Sequence, residues 1–131
     1  MKKFSHLLIL LSMGIFSQFV TAQVERSQLT SRIENKEPTD NLEDFVQGQN
    51  NEMKRVYFFT HITGLVGQQV IHRWIYKGEE KATVTLNIGG DNWRTYSSKR
   101  VPNYWQGKWQ VQVWQADLML ISHDFEVSYL E

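Results

Sequence analysis

Gln69-Val70-Ile71-His72-Arg73-Trp74-Ile75-Tyr76 is the stretch that decides the fold. Successive side chains in a strand point to opposite faces. Val70, His72, Trp74 and Tyr76 therefore share one face, and Ile71, Arg73 and Ile75 the other. Lys77-Gly78 follows as a hairpin turn, and Ala82 to Ile88 reads as the returning strand. Working outward, Val56-Tyr57-Phe58-Phe59-Thr60 is a short aromatic run of β-formers, and Gly64 to Gln68 marks a turn. Gly89-Gly90-Asp91-Asn92 breaks the chain before a strand from Trp93 to Lys99. Gly107 to Gln115 and Leu118 to Tyr129 form a last hairpin about Ala116-Asp117. In its first strand Trp109, Val111 and Val113 share a face. In its second Met119, Ile121, Phe125, Val127 and Tyr129 share parity, so apolar faces exist to fill a core.

Upstream, residues 23–54 are polar, with scattered apolar residues. Leu29 to Ile33 alternates enough for a first edge strand, Gln23 to Ser27 reads as a frayed leader, and Gln47 to Asn51 as a loop. About seven strands at short spacing without an amphipathic helix predict an all-β domain. The expected architecture is an antiparallel β-sandwich of immunoglobulin- or fibronectin-like kind. The chain has no Cys, so any immunoglobulin likeness is one of architecture. Disulfides, thiolate chemistry and zinc–cysteine sites are excluded with it.

The first 22 residues have the three parts of a secretory signal. Lys2 and Lys3 are the basic start, Leu7 to Val20 the apolar run, and Val20-Thr21-Ala22 the small-residue site, with the cut between Ala22 and Gln23. The apolar run is interrupted by Ser12, Gly14, Ser17 and Gln18 and is short for a membrane span. The expectation is a periplasmic or secreted protein with no stable membrane span after cleavage. One domain follows, its main body at residues 55–131 and its whole extent about 29–131. Lys2 and Lys3 leave with the signal, so 14 basic residues fall to 12 against 14 acidic, a net charge of −2. That balance gives no electrostatic footprint for nucleic acid.

No catalytic motif is present. The mature chain keeps His61, His72 and His123 at no ligand spacing, so no metal or cofactor is expected. Ser97 and Ser98 with His72 and Asp91 could form a triad only through the fold, and no nucleophile elbow is present. Glu34 and Glu37 read as carboxylates on a solvated turn. Five tryptophans stand out. Trp74 and Trp109 have the parity of core residues. Trp114 has the opposite parity, beside Gln110 and Gln112, and should face outward. With Tyr104 and Trp105, which follow Pro102-Asn103, it is the candidate for an exposed aromatic surface. Arg73, between Ile71 and Ile75, reads as a half-buried paired charge.

Several strings together resemble one bacterial family, the domain of unknown function numbered 2914. They are Thr30 to Pro38, Tyr57-Phe58-Phe59-Thr60, His72-Arg73-Trp74-Ile75-Tyr76, Trp93-Arg94 with Ser97-Ser98-Lys99, and Gly107-Lys108-Trp109. The resemblance spans about Leu29 to Tyr129, with Lys36 standing where that family commonly has Arg. It implies a compact extracytoplasmic β-domain and no known activity. It also draws attention to His72, Arg73, Arg94, Ser97, Ser98 and Lys99. These read either as part of a non-catalytic site for a glycan, peptide or envelope protein, together with Tyr104, Trp105 and Trp114, or as an internal network of a structural accessory domain. A hydrolase is the weaker alternative; it requires a Ser hydroxyl within reach of His72.

Overall fold

The computed structural model describes residues 22–131; residues 1–21, where the secretory signal is expected, lie outside them. Ten strands follow in order: β1 Gln23–Thr30, β2 Ile33–Glu34, β3 Glu37–Pro38, β4 Phe45–Gln49, β5 Lys54–Thr63, β6 Gln69–Tyr76, β7 Glu79–Asn87, β8 Asn92–Val101, β9 Gly107–Gln115 and β10 Leu118–Leu130. A 3-stranded sheet, β1-β5-β8, packs on a 5-stranded sheet, β4-β10-β9-β6-β7, and β2-β3 is a separate two-stranded hairpin. The architecture is the expected β-sandwich.

The sheets close on the faces that alternation marked. Val70, His72 and Trp74 of β6, Trp109, Val111 and Val113 of β9, and Val56, Phe58, Thr60 and Ile62 of β5 are all buried. Trp74 and Phe125 meet edge-on at 6.2 Å between ring centroids, and Trp109 stacks on Phe125 at 6.1 Å. Lys77 (φ 48°) and Gly78 (φ 83°) make the left-handed pair of a type I′ turn, whose twist suits a two-residue hairpin.

Four details depart from the sequence reading. Gln23 to Ser27 is not a frayed leader: it is the first part of β1, antiparallel to β5 from Gln23 opposite Thr63 to Thr30 opposite Tyr57. The strand ends at Thr30, and Ile33 belongs to β2. Gln47 to Gln49 is not loop but the end of β4, which pairs in parallel with β10, so the sheet is not wholly antiparallel. Gly48 sits beneath Tyr129, where a Cβ would come within 2.7 Å of the ring; only Gly lets the two strands pack this way. Finally, Met119 does not join the core. A bulge between Met119 and Ile121 shifts the register, placing Met119 opposite Trp114 on the outer face.

The β8–β9 connection is held from below. Tyr129 donates its hydroxyl to the Val101 carbonyl and accepts the Lys54 N–H at 3.0 Å. Its own N–H goes to the Gln106 side chain at 2.8 Å. Pro102 leads into a short 3-10 helix, Asn103–Trp105, which carries Tyr104 and Trp105.

Candidate functional site

The nine residues singled out in the sequence separate into four places. The first is internal. His72 is 0% and Ser97 5% exposed, and both face the core. The Trp74 indole N–H donates to Ser97 Oγ at 3.0 Å, and Ser97 Oγ lies 2.6 Å from His72 Nδ1. On the other side of the ring His72 Nε2 lies 3.2 Å from Thr60 Oγ1, which reaches the Thr95 carbonyl at 3.4 Å. One assignment satisfies every group: Trp74 to Ser97, Ser97 hydroxyl to Nδ1, Nε2–H to Thr60, Thr60 hydroxyl to Thr95. It requires a neutral imidazole. Burial lowers the His72 pKa to about 3, in keeping with that state.

Ser97 is therefore within hydrogen-bond reach of His72, as a hydrolase would need. The pair, however, is shut inside the sandwich. Ser97 already accepts from Trp74, and the far nitrogen of His72 meets a threonine where a triad places a carboxylate. Asp91 is exposed in the turn before β8. The geometry is that of a cross-sheet tie between β5, β6 and β8.

The second place is the outer face of the 3-stranded sheet. Glu37 is not free on a turn: Arg94 Nη1 reaches it at 2.6 Å, and Arg26 Nη2 contacts both its oxygens at 2.8 and 2.9 Å. Hydrogen bonds from Arg94 and then Arg26 lower its pKa. Arg26 also lies 4.7 Å over the Phe59 ring. Arg94 thus clamps the β2–β3 hairpin onto the sheet. Asp40 anchors the hairpin's return. Burial alone would raise its pKa, but hydrogen bonds from Ser31 and Thr30 outweigh that and hold it below the usual carboxylate range. Lys36, with φ 62°, is an exposed turn residue. On the same sheet face Ser98 accepts from Arg55 Nη1 at 2.7 Å.

The third place is the outer face of the 5-stranded sheet. Arg73 lies 4.6 Å over the Trp114 ring and 3.4 Å from Glu80, half-buried and paired. Trp114 does face outward, but Arg73 covers it and leaves it half-buried. From it runs a relay of amides along β9. Trp114 Nε1 donates to Gln112 at 2.7 Å, Gln112 to Gln110 at 2.6 Å, and Gln110 to Asp124 of β10 at 2.7 Å. The relay ends at an open cleft of about 510 Å³, lined among others by Asp44, Ile75, Lys77, Lys108, Gln110, Asp124 and Glu126. That volume lies in the range of small-molecule sites. Gln110 and Gln112 were legible as neighbours of Trp114. Asp124 was not, because only the β9–β10 register brings it opposite Gln110.

The fourth place is the seam where the edge strands β7 and β8 of opposite sheets meet. Tyr104 is 72% exposed, whereas Trp105 is half-buried. Trp105 packs against Tyr76, Tyr104 and Trp109 at 6.2, 5.7 and 6.1 Å. Lys99 Nζ sits 5.1 Å from its ring centroid, and Lys81 Nζ, which the sequence reading passed over, 4.8 Å. Among the described residues no three His, Cys, Asp or Glu side chains form a metal-holding group.

The stretch from the loop before β6 through most of β10 carries the family match. Residues 67–127 match the family described as protein of unknown function (DUF2914). The resemblance read from the sequence is thus shown over these residues, and the strings at Thr30 to Pro38 and Tyr57 to Thr60 lie outside the matched stretch. No curated protein matches the chain. Among solved structures the DUF2914-matching chain is similar to an immunoglobulin-like protein from Pseudomonas aeruginosa. The identity there is 10% and the TM-score 0.56, with 82% of this chain and 96% of that one covered. It is also similar to the CARDB domain of a Pyrococcus furiosus protein, at 12% identity and TM-score 0.54, with 87% and 98% covered. A second structure of that CARDB domain, in complex with di-metal ions, matches at 12% identity and TM-score 0.52 over 88% and 99%. At such identities the likeness is one of fold.

Proposed function

We propose that this chain is an exported, non-catalytic binding domain whose ligand is a polyhydroxylated molecule, a glycan, seated on the outer face of the 5-stranded sheet. The observation that carries this reading is the cleft beside Gln110 together with the amide relay that orients its wall. Sugar hydroxyls both donate and accept. The cleft answers with both kinds of group: Gln110 carries an amide, Asp44, Asp124 and Glu126 accept, and Lys77 and Lys108 donate. Gln110, Lys108, Asp124 and Glu126 stand on strands, which favours a preset geometry, and Asp44 and Lys77 flank them from turns. Trp109 and Phe125 also line the cleft but are only 2% and 3% exposed, so with Ile75 they offer a peptide or envelope protein little apolar surface to anchor on.

The test is a glycan array probed with the purified protein, followed by calorimetry on any hit. Gln110→Ala and Asp124→Ala should each weaken binding about tenfold, the loss expected from one oriented hydrogen bond to a polar ligand. Empty arrays, or hits that both variants bind as tightly as the wild type, would overturn the reading.

Export is supported by the signal-like first 22 residues and by where the sheet begins. β1 starts at Gln23, directly after the expected cut, so cleavage would spare every strand among the described residues. Mass spectrometry of protein from the extracytoplasmic fraction should find an N-terminus at Gln23. An intact Met1 terminus confined to the cytoplasmic fraction would contradict export.

A further inference from the structure

The β7–β8 seam carries a second feature, independent of the cleft. β7 has one residue more than β6 between two paired positions: Trp74 lies opposite Ala82 and Ile75 opposite Glu80, so Lys81 is the bulged residue. Bulges re-aim side chains, and this one sets Lys81 over the same indole that Lys99 approaches from β8. On the adjoining face Arg55 and Arg100 stand directly opposite each other across β5 and β8. Like charges in that position are destabilising.

Four cations thus gather at one corner. Among the described residues the only carboxylate in ion-pair contact with any of them is the exposed Glu79, 2.7 Å from Lys81. Among the described residues the Lys99 ammonium has a single hydrogen bond, to the Arg100 carbonyl at 3.1 Å, which leaves donors free there. Burial, then the nearby Arg55 and Lys81 charges, lower its pKa. The corner is held by rigid parts: Trp105 is fixed through its carbonyl by the Trp109 indole at 2.9 Å, and Tyr76 binds the Gln106 carbonyl at 2.6 Å.

We propose that this corner is an anion site for a phosphate group, with Lys81 and Lys99 donating to its oxygens beside Trp105 and Arg55 supplying a further positive charge. A dianion would relieve the crowding of like charge and accept the unused ammonium protons. The phosphate could belong to a soluble ester or to a lipid headgroup, and one titration separates them.

Tryptophan fluorescence of the purified protein is followed on addition of inorganic pyrophosphate, with sodium chloride at matched ionic strength as reference. A second arm adds phosphatidylglycerol vesicles. The expected result is a saturable response to pyrophosphate beyond that to chloride, weakened at least tenfold in Lys99→Gln and in Lys81→Gln. Vesicle binding that pyrophosphate displaces would support the site with a lipid source, and pyrophosphate binding without vesicle binding would support it with a soluble one. Lys99→Gln relieves like-charge crowding, so the variant should fold at least as well as the wild type; Arg55→Gln serves as the second variant should it not. A response equal to that of chloride, or variants that bind pyrophosphate as the wild type does, would overturn the proposal.

Discussion

Between pH 6.5 and 5 the protein should lose about 1 kcal/mol of folding free energy per pH unit through His72 alone. The folded-state pKa of this residue is lowered from 6.5 to about 3 by burial. Well above pH 6.5 the imidazole is neutral in both folded and unfolded chains, and its network contributes in full. As the pH falls, the unfolded chain takes up a proton that the folded one refuses, and stability drops until the folded pKa is reached near 3. The loss amounts to roughly 3 kcal/mol by pH 4. Glu37 and Asp40 act in the same direction, but their pKa values lie below 4.5 and 3.8. Their share is therefore lost only at lower pH, and the upper part of the window belongs to His72. Urea midpoints at pH 7, 6 and 5 check this. His72→Gln should be less stable at pH 7, yet its midpoint should be nearly flat over the same range. A variant with the wild-type slope would place the pH dependence elsewhere.

Trp74→Ala should cost about 3–5 kcal/mol, the loss typical of a large aromatic removed from a packed core. Trp74 is fully buried, touches Phe125 edge-on, and is also the donor that fixes Ser97. Trp74→Phe separates the two roles. It keeps most of the ring volume but leaves Ser97 without its donor, so a smaller loss of about 1–2 kcal/mol is expected. Denaturant curves with a common slope would measure both. If the two variants were equally stable, the indole N–H would be the whole contribution and the core packing none.

These two expectations rest on the part of the molecule most legible in its sequence. The alternation of β6 and β9 and the Lys77-Gly78 turn are local signals, and they located the core tryptophans. What escaped is set by partners distant in sequence. β1 shows mostly polar residues before Leu29 because it is a sheet edge, and its strand character comes from pairing with β5. β4 offers only Val46 and Gly48 to the core, too few for a pattern, and is held by β10. The register shifts at Glu25, at Lys81 and near Leu120 are events that a single strand does not reveal.

The same limit applied to the site. Outward-facing Trp114 with Gln110 and Gln112 could be read from parity. The partition of His72, Arg94 and Lys99 into a core tie, a hairpin clamp and an edge-seam cation could not, since their neighbours Ser97, Glu37 and Trp105 arrive from other strands or loops. Arg94 and Glu37 are 57 residues apart. No spacing rule would have joined them.

The division between an internal His72 tie and an external ligand face can be tested directly by amide and indole NMR of the purified protein titrated with a glycan hit from the array. Shift changes should concentrate at Gln110, Gln112, Asp124 and the Trp114 indole, with the Trp74 indole and His72 unmoved. Changes centred on His72, Ser97 and Trp74, with the β9–β10 face silent, would contradict it.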